Sequence, residues 1–174
     1  MHSVNKPYQM ITDYATGRRV PDAGAEANRQ AVEHFLIDDK GYSPADLGID
    51  VPVVFTASGE DYRSAVDIVV YVEGEPVMVI KCAAGSLDSR RNEVLAAARI
   101  LGDHIVPFAA ASDGHTALVH DAVSGKEIGQ GLDALPGPAA ARRAMVEEGR
   151  KQLNPSQLEK ARLIFRSYDS MNVN

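Results

Sequence analysis

The sequence predicts a mixed α/β domain, a central sheet flanked by helices with further helices at the C-terminal end. Three observations carry that expectation. Residues 65–72 and 77–83 are nearly continuous apolar runs joined by the turn Glu73-Gly74-Glu75-Pro76, which is how interior strands covered on both faces read. Helical spacing of apolar residues precedes them at 23–40 and follows them at 86–101. Shorter strand-like runs come next, and the Pro-rich junction Leu135-Pro136-Gly137-Pro138 separates them from two more helical stretches.

Element by element, the first ~20 residues carry turn signals at Thr16-Gly17 and Val20-Pro21-Asp22 and read as an extended lead-in. Ala31, Val32, Phe35 and Leu36 form the buried stripe of the first helix, and Gly41 closes it. Val51–Phe55 reads as a strand whose Pro52 belongs near its start or on a sheet edge. The two apolar runs follow, interrupted only by Asp67 and Lys81, which makes both conspicuous. Ser86–Leu101 reads as a helix buried through Val94, Leu95, Ala97, Ala98 and Leu101. Ile105–Ala111, Thr116–His120 and Glu127-Ile128 are strands, the first two joined at the turn Ser112-Asp113-Gly114. Helices are expected at Ala139–Gln152 and Pro155–Ser167, the second opened by Asn154 as cap, Pro155 and Gln157. The order is α-β-β-β-α-β-β, then helices. Two units are expected, a domain over 20–135 and a helical appendage over 136–174 that packs on it or on a partner. The stripe of Leu158, Ala161 and Phe165 is suited to docking, and to a homodimer through the C-terminal helices.

Composition narrows the function classes. A chain of 174 residues with 45% hydrophobic and 24% charged residues suits one globular domain. No apolar run approaches membrane length and no leader-like segment opens the chain. The single cysteine, Cys82, excludes an internal disulfide framework, and a cytoplasmic location is expected. Net charge is −6, so the surface as a whole is no polyanion binder. The imbalance is local, however: residues 138–174 carry +3 and the first 137 carry −9. That tail either touches a polyanion or is a solvated helix face. His104, His115 and His120 match no standard ligand spacing, and Cys82 in a central strand reads as a buried, inert thiol.

The stretches AEANRQAVEHFL, GYSPADLGIDV, AVDIVVYVEGEPVMVIKCA and IVPFAAASDGHTALVHDAVSGKEIG resemble the N-terminal nuclease domain of type I restriction enzyme R subunits over roughly residues 20–130. The resemblance implies a restriction-endonuclease-like αβββαβ core of the PD-(D/E)xK superfamily. It also implies DNA as partner and a Mg²⁺ site. No GxxxxGK[ST] phosphate loop is present, so the chain reads as a stand-alone relative of the R subunit.

In that family a divalent cation between two carboxylates activates water, and a lysine two residues after the second carboxylate shares its strand face. Asp67 matches the first carboxylate and would be the metal ligand of an active enzyme. The Glu-x-Lys triplet falls on Lys81-Cys82-Ala83, which puts a cation in a metal ligand's place and an alanine where the lysine belongs. Three readings remain open. Cleavage survives if an acid has migrated, with Glu93 and Glu26 as candidates, although Glu26 lies ~150° from the apolar stripe of its helix. Alternatively, cleavage is lost, no cofactor is needed, and Lys81, Ser86, Ser89, Arg90 and Arg91 bind a DNA phosphate at the start of the second helix. In the third, Asp67 and Lys81 simply neutralise each other in an interaction or scaffold module.

Overall fold

A computed structural model describes residues 7–172. The central feature is a six-stranded sheet in the order β3-β4-β5-β6-β7-β8. Its strands span Leu47–Ala57 (β3), Glu60–Val72 (β4), Glu75–Cys82 (β5), Phe108–Ser112 (β6), Ala117–Asp121 (β7) and Glu127–Gln130 (β8). All neighbours are antiparallel except β5 and β6, which run parallel. A parallel pair needs a crossover, and helix α2 (Arg91–Ile100) supplies it. The fold is the expected mixed α/β class.

Helices cover both faces. Val32 and Leu36 of α1 (Glu26–His34, continued by a π-turn over Phe35–Asp39) and Ala141 of α3 (Pro138–Glu148) bury against Ile68, Val70, Met78 and Ile80. On the other face, Val94–Ala98 of α2 and Phe165 of α4 (Pro155–Asn172) bury against Val53, Val66, Val69 and Val79. Residues 69, 70, 79 and 80 thus alternate between two cores, which is why β4 and β5 look apolar throughout. Gly114, in the turn after β6, lies against α1: a Cβ there would stand 3.0 Å from Ala31 and 3.1 Å from the Asn28 backbone.

Several boundaries depart from the sequence reading for identifiable reasons. The lead-in is no plain extended segment: Met10–Thr12 (β1) pairs with Arg19–Pro21 (β2) in a small hairpin. Strand β4 begins at Glu60, well before Ala65, because residues 60–66 pair with β3 alone and keep one polar face. Pro52 does lie on an edge strand. The α2 helix starts at Arg91, later than expected. Gly85 adopts φ 85°, and a single 3-10 turn over Asp88–Arg90 leads in. Strand β6 starts at Phe108, since the Ile105 amide turns away to the Lys151 carbonyl.

Helix α4 begins as its sequence dictates. Gln157 N–H donates to Asn154 Oδ1 at 2.8 Å and Asn154 N–H to Gln157 Oε1 at 3.0 Å, a reciprocal cap. The helix docks on α2 and the β3–β4 hairpin, with Phe165 2% exposed and edge-on to Phe55. Among the described residues, no helix is long and apolar enough to cross a membrane. Because Phe165 fills the α2–α4 core, Phe165→Ala should cost about 3–5 kcal/mol of stability in urea unfolding. Exposed Val146→Ala should stay within about 0.5 kcal/mol. A Phe165→Ala loss no larger than that of Val146→Ala would mean that α4 does not dock.

Candidate functional site

Asp67 and Lys81 face each other where β4 and β5 part company, just beyond the last ladder pair, Ile68 with Ile80. The β3–β4 ladder is also interrupted here. Ile49 pairs with Ile68 and Val51 with Val66, but Asp50 adopts φ 52° and drops out of the ladder opposite Asp67. Asp67 turns back along the sheet, and its Oδ2 accepts the Cys82 N–H at 2.7 Å.

Lys81 is held by two carboxylates. Its Nζ lies 3.3 Å from Glu93 Oε1 and 3.9 Å from Asp67 Oδ2. The closer partner is therefore the helix acid, which sits in the first turn of α2 and is 2% exposed. Arg90 approaches the same carboxylate, 3.8 Å from Glu93 Oε2. Ala65, Val66, Val94, Ala97 and Phe165 wall the pair on the apolar side. Burial works against the Lys81 charge, but Asp67 and Glu93 outweigh it and hold the ammonium's pKa above its usual value. Burial pushes the Asp67 carboxyl up, only partly offset by Lys81 and the Cys82 N–H. Burial likewise raises the Cys82 thiol well above its normal range, so the thiol stays protonated and weakly nucleophilic.

The remaining sequence candidates divide. Glu26 turns inward despite its angle from the apolar stripe, and it lines a cavity of about 330 Å³ together with Arg29, Asp50, Asp67 and Cys82. The stripe argument failed because the inner face of α1 is itself charged: Arg29 is 6% and Glu33 0% exposed. Arg29 binds Glu26 at 2.8 Å and Asp50 at 2.9 Å, with Asp13 at 3.6 Å and Glu33 at 3.8 Å. Its donors thus already occupy Glu26. Arg90 joins the Lys81 cluster, whereas Arg91 donates to the Gly125 carbonyl at 2.9 Å. Ser86 and Ser89 are exposed, and the Ser89 hydroxyl donates to the Ser86 backbone carbonyl at 2.7 Å. Of the five expected phosphate donors, Lys81 and Arg90 thus share Glu93, while Arg91 and the Ser89 hydroxyl bond backbone carbonyls.

The sequence reading missed Arg29, Glu33, Asp50 and Asp169. Glu26, Arg29, Gln30 and Glu33 follow helical spacing, a readable signal for a polar face pointing inward. Asp169 comes four residues after Phe165 and so continues the docking stripe. It is 5% exposed and accepts from the Tyr62 and Ser64 hydroxyls at 2.5 and 3.0 Å. Asp50 gave no signal, since its role comes from a backbone kink.

The family comparison agrees with this architecture. Residues 24–136 match the model of the type I restriction enzyme R protein N terminus. The chain belongs to that family. No curated protein and no solved structure matches it. The match ends before α3 and α4, so the helix that carries Phe165 and Asp169 lies outside the matched segment of this R-protein N-terminal domain.

A divalent cation does not fit the residues at this site. Asp67 and Glu93 contribute two negative charges, but Lys81 and Arg90 contribute two positive ones within 4.0 Å. A divalent ion ~4 Å from an ammonium is repelled by several kcal/mol even at an effective dielectric of about 20. Among the described residues, no group of three or more His, Cys, Asp or Glu side chains converges as a metal cage.

The charged inner face of α1 has a pH signature. Burial is the main cause that raises the Glu33 pKa to about 7, and the neighbouring Asp13 adds to it. The buried Glu33 Oε1 has no hydrogen-bond partner, which disfavours the charged carboxylate further. The unfolded chain loses the Glu33 proton first, near 4.5, so stability falls as pH rises from there toward 7. Glu33→Gln should flatten that fall and be more stable than the wild type at pH 8 by on the order of 1–3 kcal/mol in urea melts. Parallel pH profiles for the two proteins would show that Glu33 is ionised in the fold.

Proposed function

We propose that this R-protein N-terminal domain is a DNA-associated, restriction-endonuclease-like module in which metal-dependent phosphodiester cleavage is impaired. The observation that carries the reading is the Lys81 ammonium, 3.3 Å from Glu93 and 3.9 Å from Asp67. Cleavage in the superfamily that the sequence resembles needs a divalent ion between two carboxylates, where it activates water and offsets charge on the phosphate. Here the two carboxylates are spent on an ammonium. Ala83, which falls at the lysine position of the Glu-x-Lys motif, offers no proton donor.

Two observations favour other readings. Glu93 does approach Asp67 through their common partner, so the acids of an active endonuclease with a migrated ligand are near one another, and Lys81 is 23% exposed in its side chain. That reading requires the ammonium to swing out. Against nucleic acid stands the charge: the chain carries −6 overall, and Glu26, Asp50 and Asp67 line the adjacent cavity. This suits an interaction or scaffold module that does not touch phosphate.

Plasmid nicking with Mg²⁺ or Mn²⁺ separates the first two. The proposal expects wild type to be no faster than Asp67→Ala, and wild-type nicking that Asp67→Ala abolishes would overturn it. A gel shift separates the first from the third. Affinity for duplex DNA should fall steeply as salt rises, because phosphate contacts release counterions. No shift at low salt would favour the interaction module.

A further inference from the structure

Arg99, near the C-terminal end of α2, and Arg162, in α4, share a cleft of about 390 Å³ that His104, Gln152 and the Gly102-Asp103 segment complete. It lies at the opposite end of α2 from Lys81 and Glu93, and α4 falls outside the family match. Neither arginine forms an ion pair with a described carboxylate. Arg162 Nε is buried without a hydrogen-bond partner. Arg99 Nε donates only to the Ala122 carbonyl, at 2.9 Å. Burial, and then the neighbouring Arg91, pull the Arg99 pKa below its usual value, and Asp121 offsets this only in part. On the same wall the Gln152 side-chain amide donates to His104 Nε2 at 3.4 Å. Asp103 is the one acid on the wall, and it is exposed.

A buried guanidinium N–H without an acceptor is left with its desolvation cost, which a bound acceptor offsets. The planar guanidinium fork suits tetrahedral and carboxylate oxygens. Other arginines are already engaged by acids: Arg29 is surrounded by carboxylates, and Arg90 leans on Glu93.

We propose that the cleft between the C-terminal end of α2 and helix α4 binds an oxyanion of the phosphate class, held by Arg99 and Arg162. Both free inorganic phosphate and the phosphodiester of a nucleic acid have this chemistry. The site does not depend on the proposed loss of cleavage.

The test is a titration of the full chain with inorganic phosphate at constant ionic strength, followed by amide and arginine Nε–H resonances. Saturable shifts are expected at Gly102, Asp103 and Arg162 Nε–H. Arg162→Gln should weaken the apparent affinity at least tenfold, and Arg162→Lys, which keeps the charge but not the fork, should weaken it less. A short DNA duplex that moves the same resonances assigns the site to nucleic acid, and phosphate acting alone assigns it to a free anion. Linear, unsaturated shifts, or shifts that Arg162→Gln leaves unchanged, would overturn the proposal. Should Arg162→Gln fail to fold, the wild-type saturation and the Arg162→Lys comparison decide the same question.

Discussion

An ammonium on a central strand has to be neutralised, and the arrangement around Lys81 follows from that constraint. Desolvating a charge is tolerable only when partners surround it. Asp67 comes from the neighbouring strand, Glu93 from the first turn of the crossover helix, and Arg90 joins on Glu93's far side. Removing one member of such a cluster leaves an uncompensated buried charge and typically costs ~3–5 kcal/mol. The two acids are therefore part of the fold's stability whether or not they ever served chemistry.

A second charged cluster lies on the other side of the sheet's end. Arg29 collects Asp13, Glu26, Glu33 and Asp50, and in doing so ties the N-terminal hairpin and α1 to the kinked edge strand β3. Asp13 also accepts the Thr16 amide and hydroxyl, each at 2.8 Å. The cavity next to Asp67 is thus bounded by groups already engaged with one another. Meanwhile α4 closes the opposite face: Asp169 accepts hydrogen bonds from the Tyr62 and Ser64 hydroxyls on the outer half of β4, and Phe165 shields the Lys81–Glu93 pair. Around the position where its family resemblance predicts catalysis, these polar side chains are engaged with one another.

Much of this was legible in the amino-acid order. The apolar runs of β4 and β5, the Asn154–Gln157 cap and the crossover helix all follow from local spacing, because each is decided by neighbours close in sequence. Asp67 and Lys81 stood out as charges in otherwise apolar strands. Their third partner was harder to place, since Glu93 approaches Lys81 only after the chain passes the Gly85 turn and the 3-10 lead-in. The inward turn of Glu26 was misjudged because an apolar stripe was taken to define the inner face, when Arg29 and Glu33 define it equally. The kink at Asp50 leaves no trace in composition. Nor does the cleft at Arg99 and Arg162, which forms only when α4 lies along α2.

If an ammonium holds the place a divalent ion would need, removing that ammonium should open it to a metal. Mn²⁺ titrated into the wild type and into Lys81→Gln, followed by calorimetry, isolates the effect of one charge. No saturable Mn²⁺ binding is expected for the wild type at millimolar concentration, and measurable binding for Lys81→Gln, in which Asp67 and Glu93 no longer face an ammonium. Saturable binding to the wild type that is no weaker than to Lys81→Gln would contradict that expectation.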